Sequence, residues 1–330
     1  PSPDTSTGIV PLPRGVNMRW AEPNNVDRGT TDSWNIFIER RLPMDLALGV
    51  GYVGTATNNG YADRNLNWAE SGGNANRQYF TQAGTANVLS WGARTKGRYH
   101  SLQVALNRPF KNGLLLKGAY TFSKALNETD DDGWATLSWN QESQLSRNYA
   151  RAGYDRPHIL QLGFVYELPF ARESSGALAQ IVKNWQINGI GSIVSGSPFT
   201  VGGDNAALNQ QAGLQTINVS GELSPVGTAG PNDRWYDITQ FSQPGNAWGN
   251  SGRNAFRGPA NWNLDFSLFR TFPFGRYRVE FRAEASNVFN HAQWGNPVTG
   301  FTDPNFMRIR TFGYPGRPPR RVQLGARFQF

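Results

Sequence analysis

The chain of 330 residues contains no cysteine. A disulfide framework and any thiolate metal site are therefore excluded. An oxidising compartment such as a periplasm or cell surface would leave such a chain untouched. No run approaches the roughly 18 apolar residues of a transmembrane helix, so no spanning helix is encoded. The opening PSPDTSTGIV has neither a basic n-region nor an apolar h-region. The expectation is that a signal was removed or that an N-terminal part is missing. Only 3 histidines occur (His100, His158 and His291), and none has a partner at zinc-binding spacing. Basic residues are not gathered into runs longer than a triplet, although the net charge is +8. Without a nucleic-acid motif, that charge points to a general basic bias of walls and loops, or to contact with anionic lipid headgroups.

Glycine (37), proline (20), tryptophan (11), tyrosine (11) and phenylalanine (20) are all well supplied. So many aromatic residues argue against disorder. Apolar residues make up only 38%, with a mean hydropathy of -0.53. That is thin for a soluble core of this size. It suits a barrel in which only alternate strand residues meet lipid while lumen and loops stay wet.

Period-two alternation is the main signal. Leu114, Leu116, Gly118, Tyr120 and Phe122 share one face, with Lys117, Ala119 and Thr121 on the other. Leu160, Leu162, Phe164, Tyr166 and Leu168 oppose Gln161, Gly163 and Glu167. Trp262, Leu264, Phe266 and Leu268 oppose Asn263, Asp265 and Ser267. Val279, Phe281, Ala283 and Ala285 oppose Glu280, Arg282, Glu284 and Ser286. Val322, Leu324, Ala326, Phe328 and Phe330 oppose Gln323, Gly325, Arg327 and Gln329. Residues 34–40, 46–55, 99–108 and, less cleanly, 185–200 repeat the pattern. About nine strands result, each near the roughly 9–11 residues a tilted membrane strand needs.

Short links (Leu42–Asp45, Phe110–Gly113, Phe170–Asn184, Pro273–Arg276) alternate with long ones near 57–97, 125–156, 201–261 and 291–318. Short turns on one side and long loops on the other describe an outer-membrane barrel. Pro43, Pro109, Pro169 and Pro273 are expected to end strands at the short turns. Phe110, Phe170 and Phe274 follow three of them and, with Trp185, Phe272 and Tyr277, suggest an interfacial girdle. The expected fold is all-β: an antiparallel transmembrane β-barrel segment with short periplasmic turns and long extracellular loops. Gln161, Glu167, Asp265, Glu280, Arg282 and Glu284 are the candidate lumen wall.

Candidate chemistry is sparse. Gly49-Val50-Gly51-Tyr52-Val53-Gly54 fits a dinucleotide fingerprint but lies inside an alternating strand, where glycine relieves crowding. Glu128–Asp132 suggests a calcium loop, but the bidentate acid an EF-hand needs falls on Trp139. No nucleophile elbow occurs, so no enzyme activity and no cofactor are expected. Loop aromatics such as Trp134, Trp139, Trp235 and Tyr236 either contact a ligand or pack the loops together.

The last residues, Gln323, Gly325, Phe328 and Phe330, resemble the C-terminal signal read by the barrel-assembly machinery of outer membranes. Phe330 is accordingly expected to be the true end of the barrel. The segments SWNIFIERRLPMDLALGVGYVG, YHSLQVALNRPFKNGLLLKGAYTFSKAL, YDRPHILQLGFVYELPF, NWQINGIGSIVSGSPFTV, GNSGRNAFRGPANWNLDFSLFRTF, FRAEASNVFNHAQWGNP and RRVQLGARFQF resemble the C-terminal barrel of TonB-dependent receptors, Oar-like group. That resemblance implies a full barrel of about 22 strands, a plug in its lumen, and energy from a TonB-type periplasmic protein through an N-terminal part missing here. It also implies residence in the bacterial outer membrane and transport of a large nutrient or other substrate. The alternative is a surface-display or adhesion barrel that binds a polymer or partner through its loops. A soluble sugar-binding β-protein or enzyme is a more remote third reading. On the barrel reading, residues 1–32 are an extracellular loop remnant, and residues 33–330 are the C-terminal part of the barrel.

Overall fold

A computed structural model describes residues 15–130, 135–170, 176, 182–206, 213–312 and 319–330. Its strands are β1 (Met18–Ala21), β2 (Thr30–Leu42), β3 (Leu46–Asn65), β4 (Val88–Lys111), β5 (Leu114–Asn127), β6 (Ala150–Arg151), β7 (His158–Glu167), β8 (Trp185–Val194), β9 (Pro198–Phe199), β10 (Asn218–Val219), β11 (Phe241–Ser242), β12 (Phe256–Arg257), β13 (Asn261–Phe274), β14 (Tyr277–Ser286) and β15 (Arg321–Gln329). Eleven of them form one sheet: nine run in the order β15-β14-β13-β8-β7-β5-β4-β3-β2, each antiparallel to the next, with β1 beside β4 and β6 beside β5 off this path. These are the nine strands that the alternation predicts.

The turns have the chemistry the short links require. Asn112 (φ 53°) and Gly113 (φ 80°) join β4 to β5 as a two-residue hairpin. Both positions need the left-handed region, which Asn-Gly adopts at low cost. Gly275 (φ 61°) does the same for β13 and β14. Pro109 and Pro273 do not end their strands, which run on to Lys111 and Phe274. Pro109 is tolerated because the register of β4 with β5 breaks between Arg108 and Lys111.

Register sorts the side chains into two faces. Ile38, Val50, Val104, Tyr120, Leu160, Ile193 and Trp262 form one continuous row across seven strands. One residue along each strand, Glu39, Gly49, Ala105, Ala119, Gln161, Ser192 and Asn263 form the neighbouring row on the other face. The apolar rows are exposed, with Ile38 at 70% and Leu324 at 78%. A sheet one layer thick with its apolar face bare is a fold for lipid, where exposure of such residues is favourable.

The sequence expectation fails at the first long link. Residues 57–65 and 88–97 are not loop but extensions of β3 and β4, leaving 66–87 as the connection. This arm carries polar residues on both faces, so hydrophobic alternation cannot reveal it. A bulge at Thr57, Gly60 and Tyr61 separates arm from membrane strand. Residues 18–21, expected as loop, form β1 and pair parallel with β4 at Val88–Trp91; β2 begins at Thr30.

The buried core lies in the loops. Phe199, Val201, Ile217, Tyr236, Phe241, Phe256, Phe306 and Met307 cluster above the sheet. The long links 201–261 and 291–318 thus fold upon each other; of these, residues 207–212 and 313–318 lie outside the described ones. Each buried aromatic contributes roughly 1.5–3 kcal/mol, enough to hold loops that would otherwise be costly to order.

Candidate functional site

The six expected lumen residues share one face. Gln161 sits between Ala119 and Ser192, Asp265 opposite Ile190, and Glu284 between Ser267 and Gln323. Glu167 faces Gln186, and Glu280 lies between Thr271 and Arg327. Arg282 lies between Phe269 and Gly325, with its Nη2 3.0 Å from Glu280 Oε1. Asp265 Oδ1 accepts from Asn263 Nδ2 and from the Asn287 backbone N–H, both at 2.8 Å. The face carries these charged and polar groups beside Ile190 and Phe269, and Asp265, Glu280 and Arg282 find hydrogen-bond partners among their own neighbours.

The four candidate assembly residues divide between the faces. Gln323 and Gly325 stand beside Glu284 and Arg282. Phe328 lies on the apolar face, stacked on Tyr277 with ring centres 5.6 Å apart. Phe330 stacks in turn on Phe328 at 6.3 Å.

Among the described residues, Trp139, Trp235 and Tyr236 do not form an open platform. Trp139 is fully buried (0%), and Arg147 lies over its ring at 4.5 Å. Tyr236 belongs to the loop core and Trp235 packs against it. Trp235 Nε1 and Tyr236 Oη both donate to the Arg257 carbonyl, at 2.8 and 2.9 Å. Trp139 is enclosed, with its Nε1 buried and without a hydrogen-bond partner, and Trp235 and Tyr236 spend their polar tips on Arg257, so these three rings pack the loops together. Trp134 lies outside the described residues, as do Asp131 and Asp132 of the acidic loop.

What composition and spacing did not reveal is a set of arginine clasps. Arg257 Nη2 reaches Asp155 Oδ2 at 2.6 Å, and Asp155 is buried. Arg253 pairs with Asp130 Oδ2 at 2.9 Å and donates to Asn127 Oδ1 at 2.6 Å. Arg147 Nη2 donates to the carbonyls of Gly249 and Ser251, at 2.7 and 2.6 Å. Each clasp joins residues about a hundred positions apart, tying the loop after β5 to the loop before β13. Burial opposes the charge on Asp130, but hydrogen bonds from Gly153, Asn127 and Asn254 and the Arg253 charge lower its pKa below the usual carboxylate value. That carboxylate is thus spent on structure. Only proximity in the fold makes these pairs visible; no local motif announces them.

Among the described residues no group of three or more His, Cys, Asp or Glu side chains could hold a metal ion. The arrangement has the chemistry of a wall and a rim: an apolar face, an opposite face that carries the charged residues, and a clasped extracellular cap.

Solved structures that this chain is similar to include the ferric-catecholate import receptor Fiu of Escherichia coli K12. It is 12% identical, with a TM-score of 0.45, and the match covers 91% of this chain and 28% of that one. The E. coli outer membrane transporter YddB is 8% identical with a TM-score of 0.48, covering 94% of this chain and 34% of that one. The ferric preacinetobactin receptor BauA of Acinetobacter baumannii is 10% identical with a TM-score of 0.41, covering 95% and 32%. The chain spans about a third of the length of these structures. No curated protein matches it. The family model of the outer membrane beta barrel domain matches residues 1–323. A bare apolar face, an opposite face bearing charged residues, hairpin turns on one side and that match together place the chain in the bacterial outer membrane, as a member of the outer membrane beta barrel domain family.

Proposed function

We propose that this sheet is one wall of a transport barrel, the C-terminal part of a TonB-dependent receptor of the Oar-like group. The observation that carries the reading is the charged face shared by Glu167, Asp265, Glu280, Arg282 and Glu284, opposite the apolar one, which this reading takes as the interior. A barrel serving only to display loops has no need of so many ionisable residues along its interior; a wall that meets a polar plug or a passing solute does. The resemblance of the strand segments to TonB-dependent receptors supplies the energy source: a TonB-type periplasmic protein acting through a part of the receptor outside this chain. The substrate is a large solute, and the protein is not an enzyme. Gln323, Gly325, Phe328 and Phe330 are proposed to be read by the barrel-assembly machinery, the aromatic pair on lipid and the Gln-Gly pair on the inner face.

The test is uptake. Cells lacking the complete gene, cells restored with it, and restored cells lacking the TonB-type protein are compared for accumulation of a panel of large labelled solutes. Transport predicts at least one solute whose accumulation requires both. Unchanged accumulation across the panel, with loss of surface binding to a polymer, would replace this reading by the adhesion barrel.

A further inference from the structure

We infer that the outward face of β4, β5 and β7, at its extracellular end, binds the phosphorylated headgroup of an outer-leaflet glycolipid. Three adjacent rows carry the argument. The middle row runs Trp34, Gly54, His100, Lys124 across four strands. Arg156 continues it, since Ser123 donates from its backbone N–H to Pro157 O at 2.8 Å and from Oγ to Arg156 O at 3.0 Å. The row on the extracellular side contains Arg98, Leu126 and Arg151. The row on the membrane side contains Tyr52, Leu102, Phe122 and His158.

The membrane-side level is marked twice over. Tyr52 Oη lies 2.6 Å from His100 Nδ1, and Tyr120 Oη lies 2.8 Å from His158 Nδ1. Tyrosine and histidine rings bonded in this way have an apolar body and a polar tip, as expected where acyl chains give way to headgroups. Directly above stand Lys124, Arg156, Arg98 and Arg151. Asp32, out on β2, is the one acidic residue in these rows. Lys124 is exposed and its ammonium makes no hydrogen bond among the described residues. Arg156 uses Nη1 on the carbonyls of Gly153 and Asp155, while its Nε and Nη2 make no hydrogen bond among the described residues. Neighbouring positions across antiparallel strands are about 5 Å apart, so His100, Lys124 and Arg156 span roughly one sugar-phosphate headgroup. The apolar rows below supply a bed for acyl chains. A free phosphate would gain nothing from that bed; a phosphorylated lipid uses both.

The complete protein is purified from outer membranes in mild detergent, as wild type, as Lys124→Gln/Arg156→Gln, and as Lys124→Arg/Arg156→Lys. Heat-modifiable migration on gels shows which variants are folded. Folded protein is stripped of lipid, then offered bis-phosphorylated lipid A, its dephosphorylated form, or phosphatidylglycerol, and binding is read by native mass spectrometry. The expected result is tight binding of bis-phosphorylated lipid A by wild type and by the charge-keeping variant. The neutral variant should lose roughly fivefold per charge removed. Equal binding by the neutral variant would overturn the inference, as would equal affinity for the dephosphorylated lipid. Equal affinity for phosphatidylglycerol would also overturn it, by making the patch a general anionic surface. Should the neutral variant not fold, Arg151→Gln with Lys124→Ser serves as the second charge-removing pair, with the same outcomes.

Discussion

The ring of Phe37 lies flat across Gly51 on the neighbouring strand: a Cβ built on the glycine would stand 2.1 Å from Phe37 Cδ1. Trp34 covers Gly54 in the same way, with a built Cβ 2.3 Å from its ring. Two of the three glycines of the would-be dinucleotide fingerprint are thus seats for aromatic rings on opposite faces of the β2–β3 hairpin. This is cross-strand aromatic cover of a glycine, a device that pins register. Replacing Gly51 by valine should destabilise this hairpin by about 1–3 kcal/mol, the usual cost of overpacking. Adding Phe37→Ala should recover most of it, because the clash is with that ring alone. Denaturant unfolding of the four proteins of the cycle checks this; additive losses would refute the pairing.

The Arg257–Asp155 clasp yields a second prediction. Asp155 is buried and its carboxylate faces one guanidinium at 2.6 Å. Arg257→Met should cost about 3 kcal/mol, the lower end for breaking a buried pair because Arg257 is partly solvated. The loss should be local. Hydrogen exchange should rise at β9, β12 and the loop core while β5, β7 and β8 keep their protection. Uniform loosening of the sheet would show that the clasp is not a loop device.

Glu22 provides a pH prediction. Burial raises its pKa, but hydrogen bonds from Ser90, Asn25 and Arg94, with the Arg94 charge, overcome this and bring it to about 2. A carboxyl whose folded pKa lies below its unfolded value of 4.5 stabilises the fold fully above pH 4.5. That contribution fades as pH falls towards 2. Hydrogen exchange at β1 and the tip of β4 should therefore accelerate on acidification through that window, and Glu22→Gln should show fast exchange at neutral pH as well. An unchanged profile in the variant would remove Glu22 from the account.

Much of the sheet was legible because lipid and water impose opposite demands on alternate residues. Leu160 and Gln161 declare their faces without any tertiary knowledge, and Asn112-Gly113 declares its turn. The arm of β3 and β4 was not legible, because Ala62, Asp63, Arg64 and Asn65 meet no lipid and show no period. Nor was the clasped cap. Arg253 and Asp130 are separated by more than a hundred residues, and nothing local distinguishes a clasping arginine from a solvated one. Trp139 shows the same limit: an aromatic in a long loop reads equally as platform or core, and only the ring packed under Arg147 decides.

The division of faces can be tested on two adjacent residues. Leu160 lies in the apolar row between Tyr120 and Ile193, and Gln161 lies in the polar row between Ala119 and Ser192. Backbone position, strand and depth are nearly the same, so side-chain environment is the main variable. Arginine at 160 must enter hydrocarbon, at a cost of about 2–4 kcal/mol near the midplane, falling towards the interfaces. Arginine at 161 enters a wet interior and meets Ser192 and Asn263, polar groups that can accept its hydrogen bonds. Leu160→Arg should therefore lower the folded fraction in bilayers markedly, while Gln161→Arg should leave it nearly unchanged. Folding efficiency measured by gel migration after insertion into vesicles distinguishes the two. If Gln161→Arg proved the more damaging substitution, the two faces would be reversed, and with them the assignment of Glu167, Asp265, Glu280, Arg282 and Glu284 to the interior.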